Sequence, residues 1–305
     1  MATVTTTRTS ARKAARKAEK VGRRSIGRGW MIATYVGLIF FLFWTLVPFL
    51  WMLLASLKTN KEIYDDFTLV PKHLYFGHYA ALLKGGGGSK ASGSFRQWLL
   101  NSTIIAVSVT ALSVSLGALA AYSITRLRFT GRSFLARGLI YTYLVPNALL
   151  FIPLFTIVAR LRLVDTLQAM ILVYPTFTLP FCTWMMASYF RSIPIELEEA
   201  ARVDGCTRIG ALIKVVMPIA APAVAVVAIF AFTQSWNEFL YALVFTNSLA
   251  TRTVTVGLTQ MLGEDVFFWG QMMAGALITA VPPVVLYMVA QRFVIRGLAA
   301  GGVKL

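Results

Sequence analysis

Residues 199–218 of the chain read EAARVDGCTRIGALIKVVMP. They form the centre of a polar, helix-prone segment, Arg191 to Met217, which has a long apolar run on each side. When two apolar runs lie in lipid, the polar segment that joins them lies in water at the membrane surface. We therefore expect a folded loop at that surface, where it can contact something soluble.

The rest of the chain has the composition of a membrane protein. Of its 305 residues, 57% are apolar and 13% are charged, whereas soluble domains carry about 25% charged residues. Six charge-poor runs reach the roughly 20 residues that a bilayer-spanning helix needs, and a helix satisfies its own backbone hydrogen bonds in lipid. The predicted fold is an all-α membrane protein with six transmembrane helices and a cytoplasmic helix pair between the fourth and the fifth. The runs are Trp30–Leu57, Gln97–Thr125, Gly138–Ala159, Thr166–Phe190, Val215–Asn237 and Val266–Gln291.

The distribution of lysine and arginine predicts the orientation. With a cytoplasmic N-terminus, 20 of the 29 basic residues fall on the inner side, as the positive-inside rule requires. The predicted parts are a basic tail (1–29), a transmembrane domain (30–295) with the inner loop at about 191–218, and a cytoplasmic tail (296–305). Much of the net charge of +17 lies in the N-terminal tail. Beside a first helix, this charge favours anchoring to anionic lipid and excludes nucleic acid as the expected partner.

The first half of the inner loop carries the signals of a short helix. Pro194 suits the first turn, where a missing N–H costs nothing. The positive end of the helix dipole favours the carboxylates that follow, Glu196, Glu198 and Glu199. Gly205 lies where a residue in the left-handed conformation would end the helix.

A second short helix is predicted after this glycine. The two helices would meet at an angle and expose small residues with an acidic flank, which suits insertion into a groove of another protein. On these residues alone, an ordinary inner loop folded against the membrane is the alternative. The second helix is predicted to end at Pro218 and to carry one apolar stripe, which consists of Ile209, Leu212, Ile213 and Val216.

The loop also resembles a known signature. Its pattern of Glu199-Ala200-Ala201, Gly205, Val215 and Met217-Pro218 is similar to the EAA motif of binding-protein-dependent ABC importer permeases, which have isoleucine and leucine at the positions of Val215 and Met217. Over about residues 30–305 the chain resembles the second, six-helix permease subunit of maltose-type carbohydrate importers. The further matching segments are Asn101-Ser102, Trp236-Asn237-Glu238-Phe239, Val294-Ile295-Arg296-Gly297-Leu298 and Gly302-Val303-Lys304.

The resemblance implies a type I importer fold and a function. The chain would form half of the translocation pathway for a di- or oligosaccharide in a bacterial or archaeal cell membrane, with glycerol phosphate or another polyol-type solute as the alternative cargo. Its implied partners are a second permease subunit, two ATP-binding subunits, an extracytoplasmic sugar-binding protein and the lipid bilayer. The chain itself would be non-catalytic and would need no cofactor. The residues implied to couple it to the ATPase are Glu199, Ala200, Ala201, Asp204, Gly205 and Pro218.

A second group of polar residues lies within the predicted spans. Glu238 directly follows the fifth run and is the only acidic residue expected deep in a span, and an ionisable group there normally faces a cavity or a partner. Its depth places it in the outer half, where a sugar would enter, although a structural cap or a contact between subunits is the alternative. The candidate pathway residues are Asn101, Gln234, Trp236, Asn237, Glu238 and Tyr241.

Other function classes find less support in the sequence. A membrane-embedded enzyme needs clustered catalytic side chains at one face, and an ion-coupled transporter needs several intramembrane acids; the sequence offers neither. Cys182 and Cys206 have no histidine or cysteine neighbours at metal-ligand spacing, so no metal site is expected. His73 and His78 fall in the first outer loop, where we expect them to be solvated. The glycine-rich segment 85–94 is predicted to be a flexible linker.

Overall fold

The computed structural model describes residues 28–65, 68–85, 92–262 and 268–301. In these residues every regular element is helical, so the all-α prediction is confirmed. The chain divides into two units, 1–52 and 53–305, and the first contains most of the apolar helix α1 (Arg28–Ser56). Most of the predicted N-terminal tail, most of the glycine-rich segment and residues 302–305 lie outside the described residues.

Four of the six apolar runs form helices that are long enough to cross a bilayer. These four spans are Gly29–Ser56, Phe95–Arg126, Leu167–Ser192 and Trp269–Arg292. The helices that follow α1 are α2 (Asn60–Asp65), α3 (Gly77–Lys84), α4 (Phe95–Arg126), α5 (Arg132–Leu144), α6 (Asn147–Arg160), α7 (Leu167–Val173), α8 (Pro175–Ser192), α9 (Ile195–Val203), α10 (Arg208–Ile219), α11 (Ala221–Trp236), α12 (Leu240–Phe245), α13 (Val254–Gln260) and α14 (Trp269–Gly301).

The third run was expected to form one helix, and that expectation is wrong. Helix α5 ends at Leu144 and α6 begins at Asn147. Val145 between them is extended, with φ −70° and ψ 121°. The ring of Pro146 causes the break, because it disfavours helical geometry at the preceding residue and cannot donate a backbone hydrogen bond.

The fifth run is also not the single helix that was predicted. Helices α10 and α11 meet at an angle of 86°, with Ala220 at the bend. Pro218 and Pro222 both lack the N–H that would continue the helical ladder through this point. Pro218 therefore lies inside α10 and does not end it. At the other end, α11 stops at Trp236, so residues 237–239 lie beyond the helix.

Helix α4 organises the second unit. Its 32 residues make a rod of about 48 Å at 1.5 Å per residue, and it packs against α8 and α11. A side chain at Gly117 would have its Cβ 3.2 Å from that of Cys182, so the small residue allows α4 and α8 to approach closely here. One end of α4 contacts the loop after α12, and the other end contacts α9. The same helix therefore joins both candidate sites.

Candidate functional site

Helices α9 and α10 form the predicted pair of short helices. Gly205 separates them with φ +90°, a conformation that glycine adopts at little cost. The N–H of Cys206 donates to the carbonyl oxygen of Ala201 at 3.0 Å and closes the end of α9. The Thr207 hydroxyl then accepts from the N–H of Gly210 at 3.0 Å and caps α10. The turn between the helices is therefore fixed by local hydrogen bonds.

The coupling residues predicted from the sequence lie together on this helix pair. Glu199, Ala200, Asp204 and Gly205 are exposed, and Ala201 is half-buried. Val203 on the same helix is an apolar side chain that is 87% exposed. Pro218 is exposed at the far end of α10. The end of α9 and the turn thus present small, apolar and acidic groups outward.

Glu198 differs from the carboxylates on either side of it, because it is buried. Its Oε2 lies 3.3 Å from Nε of Arg126, the last residue of α4, and its Oε1 accepts a hydrogen bond from the hydroxyl of Tyr122. Arg126 also donates from Nη2 to the carbonyl oxygens of Phe190 at 2.9 Å and Ile193 at 2.7 Å, at the end of α8. One buried side chain of α9 thus connects this helix to α4 and, through Arg126, to α8.

The apolar stripe predicted for α10 does not lie on one buried face. Leu212 and Val216 are buried in the core that α4, α8 and α11 share. Ile209 and Ile213 are each 61% exposed. Residues 212–216 form a π-helical turn, whose wider winding changes the faces that an α-helical count assigns. The buried pair holds α10 on the bundle, and the exposed pair is not part of that core.

Glu238 lies in the break between α11 and α12 and is half-buried. Its carboxylate accepts from the N–H groups of Tyr241 at 2.9 Å and Ala242 at 3.0 Å, at the start of α12. It also accepts from the Tyr174 hydroxyl at 2.6 Å. The carboxylate therefore caps α12, which is the structural alternative that the sequence left open.

The other candidate pathway residues divide into two groups. Asn101, Trp236 and Tyr241 are buried, and each uses its side chain inside the protein. The Nδ2 of Asn101 donates to the carbonyl oxygen of Ala250 at 2.7 Å, and Nε1 of Trp236 donates to that of Thr279 at 3.1 Å. The Tyr241 hydroxyl donates to the carbonyl oxygen of Asn147 at 2.8 Å. Gln234 and Asn237 are exposed, so they are the members of the set that are open to a ligand or to another subunit.

The fold and the helix pair can now be compared with known proteins. Residues 113–299 match the family described as the binding-protein-dependent transport system inner membrane component. This chain belongs to that family.

Relatives of this permease cover nearly its whole length. It is 36% identical to the inner membrane ABC transporter permease protein YcjP of Escherichia coli, over 92% of this chain and 98% of the relative. It is 35% identical to the trehalose transport system permease protein SugB of Mycobacterium tuberculosis, over 86% and 93%. A permease chain from a bacterial ABC transporter that imports the acidic polysaccharide alginate has the same fold, with a TM-score of 0.73, 22% identity and coverage of 88% and 97%.

A single carboxylate organises the loop after α12. Oδ1 of Asp165 accepts from the N–H groups of Asn247 at 2.8 Å and Ser248 at 3.0 Å, and also from the hydroxyl of Thr251. Burial by itself raises the pKa of Asp165, but the hydrogen bonds from Ser248, Thr251 and Asn247 outweigh it and lower the pKa to about 2. Asp165 therefore holds the start of the loop after α12 as a carboxylate.

One histidine is buried where solvation was expected. His78 is 3% exposed, and its Nε2 lies 2.8 Å from the carbonyl oxygen of Lys58. Burial lowers the pKa of His78, while the backbone hydrogen bond at Lys58 opposes that shift. A Cβ at Gly270 would lie 2.1 Å from Nε2 of His78, so the backbone of α14 passes directly against the ring. The packing of α3 on α14 encloses His78.

Sequence reasoning missed the roles of Glu198, Arg126 and Asp165. The positive end of the helix dipole was expected to favour Glu198, and Arg126 was only one of the basic residues counted on the inner side. Glu198 lies three residues after Ile195 and beside the exposed Glu199. Nothing in that position distinguishes this buried carboxylate from the exposed ones near it in the sequence. Asp165 has positive φ, 62°, which is uncommon outside glycine and cannot be read from the sequence.

Proposed function

We propose that this permease is a subunit of an ATP-driven importer of a di- or oligosaccharide. Its relatives include transport system permeases named for trehalose, for trehalose and maltose, for arabinooligosaccharides and for sulfoquinovosyl glycerol. The proposed complex contains a second permease subunit, two ATP-binding subunits and an extracytoplasmic sugar-binding protein. The permease carries no catalytic group of its own, and its partners hydrolyse ATP.

The helix pair α9–α10 is the observation that carries this proposal. Its outward side presents exposed Glu199, Ala200 and Asp204 beside the exposed apolar side chain of Val203. A surface of small and apolar groups with acidic neighbours fits a groove on a soluble subunit. We assign the ATPase-coupling role to this surface, with Gly205 setting the angle between the two helices and Pro218 lying near the bend into α11.

The inward side of the helix pair contacts the membrane helices and would transmit a displacement of the pair to them. A displacement of α9 acts on α4 through Glu198 and Arg126 and on the end of α8 through the two carbonyl contacts of Arg126. A displacement of α10 acts on α11 through the 86° bend at Ala220. Closure of the ATPase subunits would therefore reorient three membrane helices together.

The proposed orientation places both termini and the helix pair in the cytoplasm and α12, α13 and Asp165 outside. The excess of lysine and arginine on the inner side supports this arrangement. The sugar path is proposed to pass the exposed side chains of Gln234 and Asn237 and the half-buried Glu238. The loop that Asp165 holds is proposed to face the sugar-binding protein.

The proposal is tested on the complete complex in proteoliposomes. We expect disaccharides and oligosaccharides, presented by the binding protein, to stimulate ATP hydrolysis and to be taken up, and glycerol 3-phosphate to do neither. If glycerol 3-phosphate alone is effective, the sugar assignment is wrong. If no solute stimulates hydrolysis in an assembled complex, the importer assignment fails.

Two variants test the coupling surface in the same assay. Glu199→Lys reverses an exposed charge on the outward side, and Gly205→Pro removes the positive φ at the turn. We expect both to reduce the stimulated ATPase activity while the protein stays in the membrane. Glu196→Lys makes the same charge change at another exposed position of α9 and serves as the matched control. Normal stimulation in Glu199→Lys and Gly205→Pro would contradict the docking role.

A further inference from the structure

The turn between α4 and α5 contains a basic cavity that the proposed transport function does not use. The cavity has a volume of about 550 Å³ and is lined by Arg128, Arg132 and Arg137 together with Phe129, Gly131, Ser133 and Phe134. The fourth arginine of this region, Arg126, is occupied by Glu198. The other three bring three positive charges to one depression in the surface.

These three arginines have no carboxylate partner among the residues that the structure describes. Arg137 donates from Nε to the carbonyl oxygen of Ser133 at 3.2 Å. Arg132 reaches the carbonyl oxygens of Leu127 at 3.4 Å and Thr125 at 3.5 Å. Arg128 and Arg137 are exposed and Arg132 is half-buried. Their charge is therefore available to an anion, and a guanidinium binds phosphate through bidentate hydrogen bonds.

An apolar cavity adjoins the basic one. It has a volume of about 420 Å³ and lies between α4 and α5, lined by Ala120, Ser123, Ile124, Leu135, Gly138, Leu139 and Thr142. Phe129 and Phe134 line both cavities. Phe134 is 75% exposed, and the cost of leaving a phenylalanine in water is removed when it lies against hydrocarbon. The two cavities form one amphipathic depression with a cationic end and an apolar end.

The depression lies where the chain leaves the membrane. Helix α4 is free of charge from Gln97 to Thr125, and the first arginine follows at its last residue. A ligand at this level has one part among lipid headgroups and another among acyl chains. Free phosphate would satisfy only the cationic end, whereas a phospholipid with net negative charge satisfies both.

We propose that this depression, defined by Arg128, Arg132, Arg137, Phe129 and Phe134, binds an anionic phospholipid. The arginines hold its phosphodiester headgroup, and one acyl chain lies between α4 and α5 against the two phenylalanines. This inference depends only on the chain being embedded in a membrane and does not require the proposed sugar cargo or orientation. A bound lipid would stabilise the end of α4, where Arg126 contacts Glu198 of α9.

The test measures which lipids stay with the protein. The full chain, with the subunits that accompany it, is placed in nanodiscs of equal phosphatidylglycerol and phosphatidylcholine and then extracted into mild detergent, and the retained lipid is quantified by mass spectrometry. Each headgroup-facing arginine is expected to contribute about fivefold to the preference. The double variant Arg128→Gln/Arg137→Gln should therefore lower the phosphatidylglycerol preference about 25-fold. Because both positions are exposed, the variant should still fold.

Two controls separate the site from general charge effects. Arg160→Gln/Arg162→Gln removes two exposed arginines from the turn between α6 and α7, away from the depression, and should leave the preference unchanged. Arg128→Lys/Arg137→Lys keeps the charge and should restore most of it. Since both leaflets of a nanodisc have the same composition, the result does not depend on which side of the membrane the turn faces. Sugar-stimulated ATPase activity, measured separately, reports on the proposed function.

Three outcomes overturn the inference. The first is equal retention of the two lipids by the unaltered chain. The second is displacement of phosphatidylglycerol by millimolar inorganic phosphate with no effect of Phe134→Ser, which would identify a simple anion site. The third is loss of a partner subunit, without loss of lipid, from the Arg128→Gln/Arg137→Gln variant, which would identify a protein contact.

Discussion

Replacing Glu198 by glutamine tests how α9 is attached to the membrane helices. The substitution keeps the size of the side chain and an acceptor for Tyr122 but removes the negative charge 3.3 Å from Nε of Arg126. Both partners are buried, with side chains 8% and 9% exposed. Removing one partner of a buried ion pair costs about 3–5 kcal/mol. Arg126 keeps its contacts with two carbonyl oxygens, so we expect a smaller cost than that range, about 2–3 kcal/mol.

This free energy opposes detachment of α9 from the bundle. A loss of 2–3 kcal/mol corresponds to a roughly 30- to 150-fold shift towards the detached state. We expect amide hydrogen exchange in 195–203 to accelerate by about this factor where it occurs through local opening. Sugar-stimulated ATP hydrolysis and uptake should fall as well, because a detached α9 no longer moves α4 and α8.

Matched variants separate the ion pair from a general effect on α9. Glu196→Gln makes the same chemical change at an exposed acid of the same helix and should leave hydrogen exchange unchanged. Tyr122→Phe removes only one hydrogen bond and should cost about 1 kcal/mol. Glu198→Gln/Arg126→Gln should recover part of the loss, because no unpaired charge stays buried. Unchanged exchange in Glu198→Gln would refute the assignment of this contact as the attachment of α9.

Three further predictions concern Gly257, Asp165 and Glu238. Gly257→Ala should lower the stability of the purified protein by about 1–3 kcal/mol, since its Cβ would lie 2.0 Å from the Trp98 ring, whereas Gly138→Ala, with open space around it, should not; thermal unfolding measures both. Asp165→Asn should loosen 247–251 and increase its proteolysis at neutral pH. Because the folded pKa of Asp165 is about 2 and its ordinary value is 3.8, the unaltered loop should resist proteolysis above about pH 4 and lose that resistance as the pH falls towards 2. Glu238→Ala should destabilise α12 by about 1 kcal/mol, which hydrogen exchange of 240–245 detects.

The contacts of Glu198 and of Asp165 share one reason for being hard to predict from the sequence. Arg126 and Glu198 are 72 residues apart in the chain, and Asp165 is more than 80 residues from the loop that it organises. Nothing in the local pattern around either carboxylate distinguishes it from a solvated one. Their partners are set by the packing of α4 against α8 and by the return of the chain after α12, and these are properties of the assembled bundle.

The apolar runs of the sequence determined that the protein is helical and embedded in a membrane, because uncharged runs of this length are stable in lipid only as hydrogen-bonded helices. Pro194 and Gly205 determined the short helix α9, since one suits its start and the other adopts the backbone conformation that ends it. The tertiary structure decided how far the third run opens at Pro146 and through what angle the fifth bends at Ala220, and it alone decided that Glu198 is buried on Arg126. Each of these depends on whether neighbouring helices can satisfy or exclude a polar group, and that balance exists only after the helices have packed.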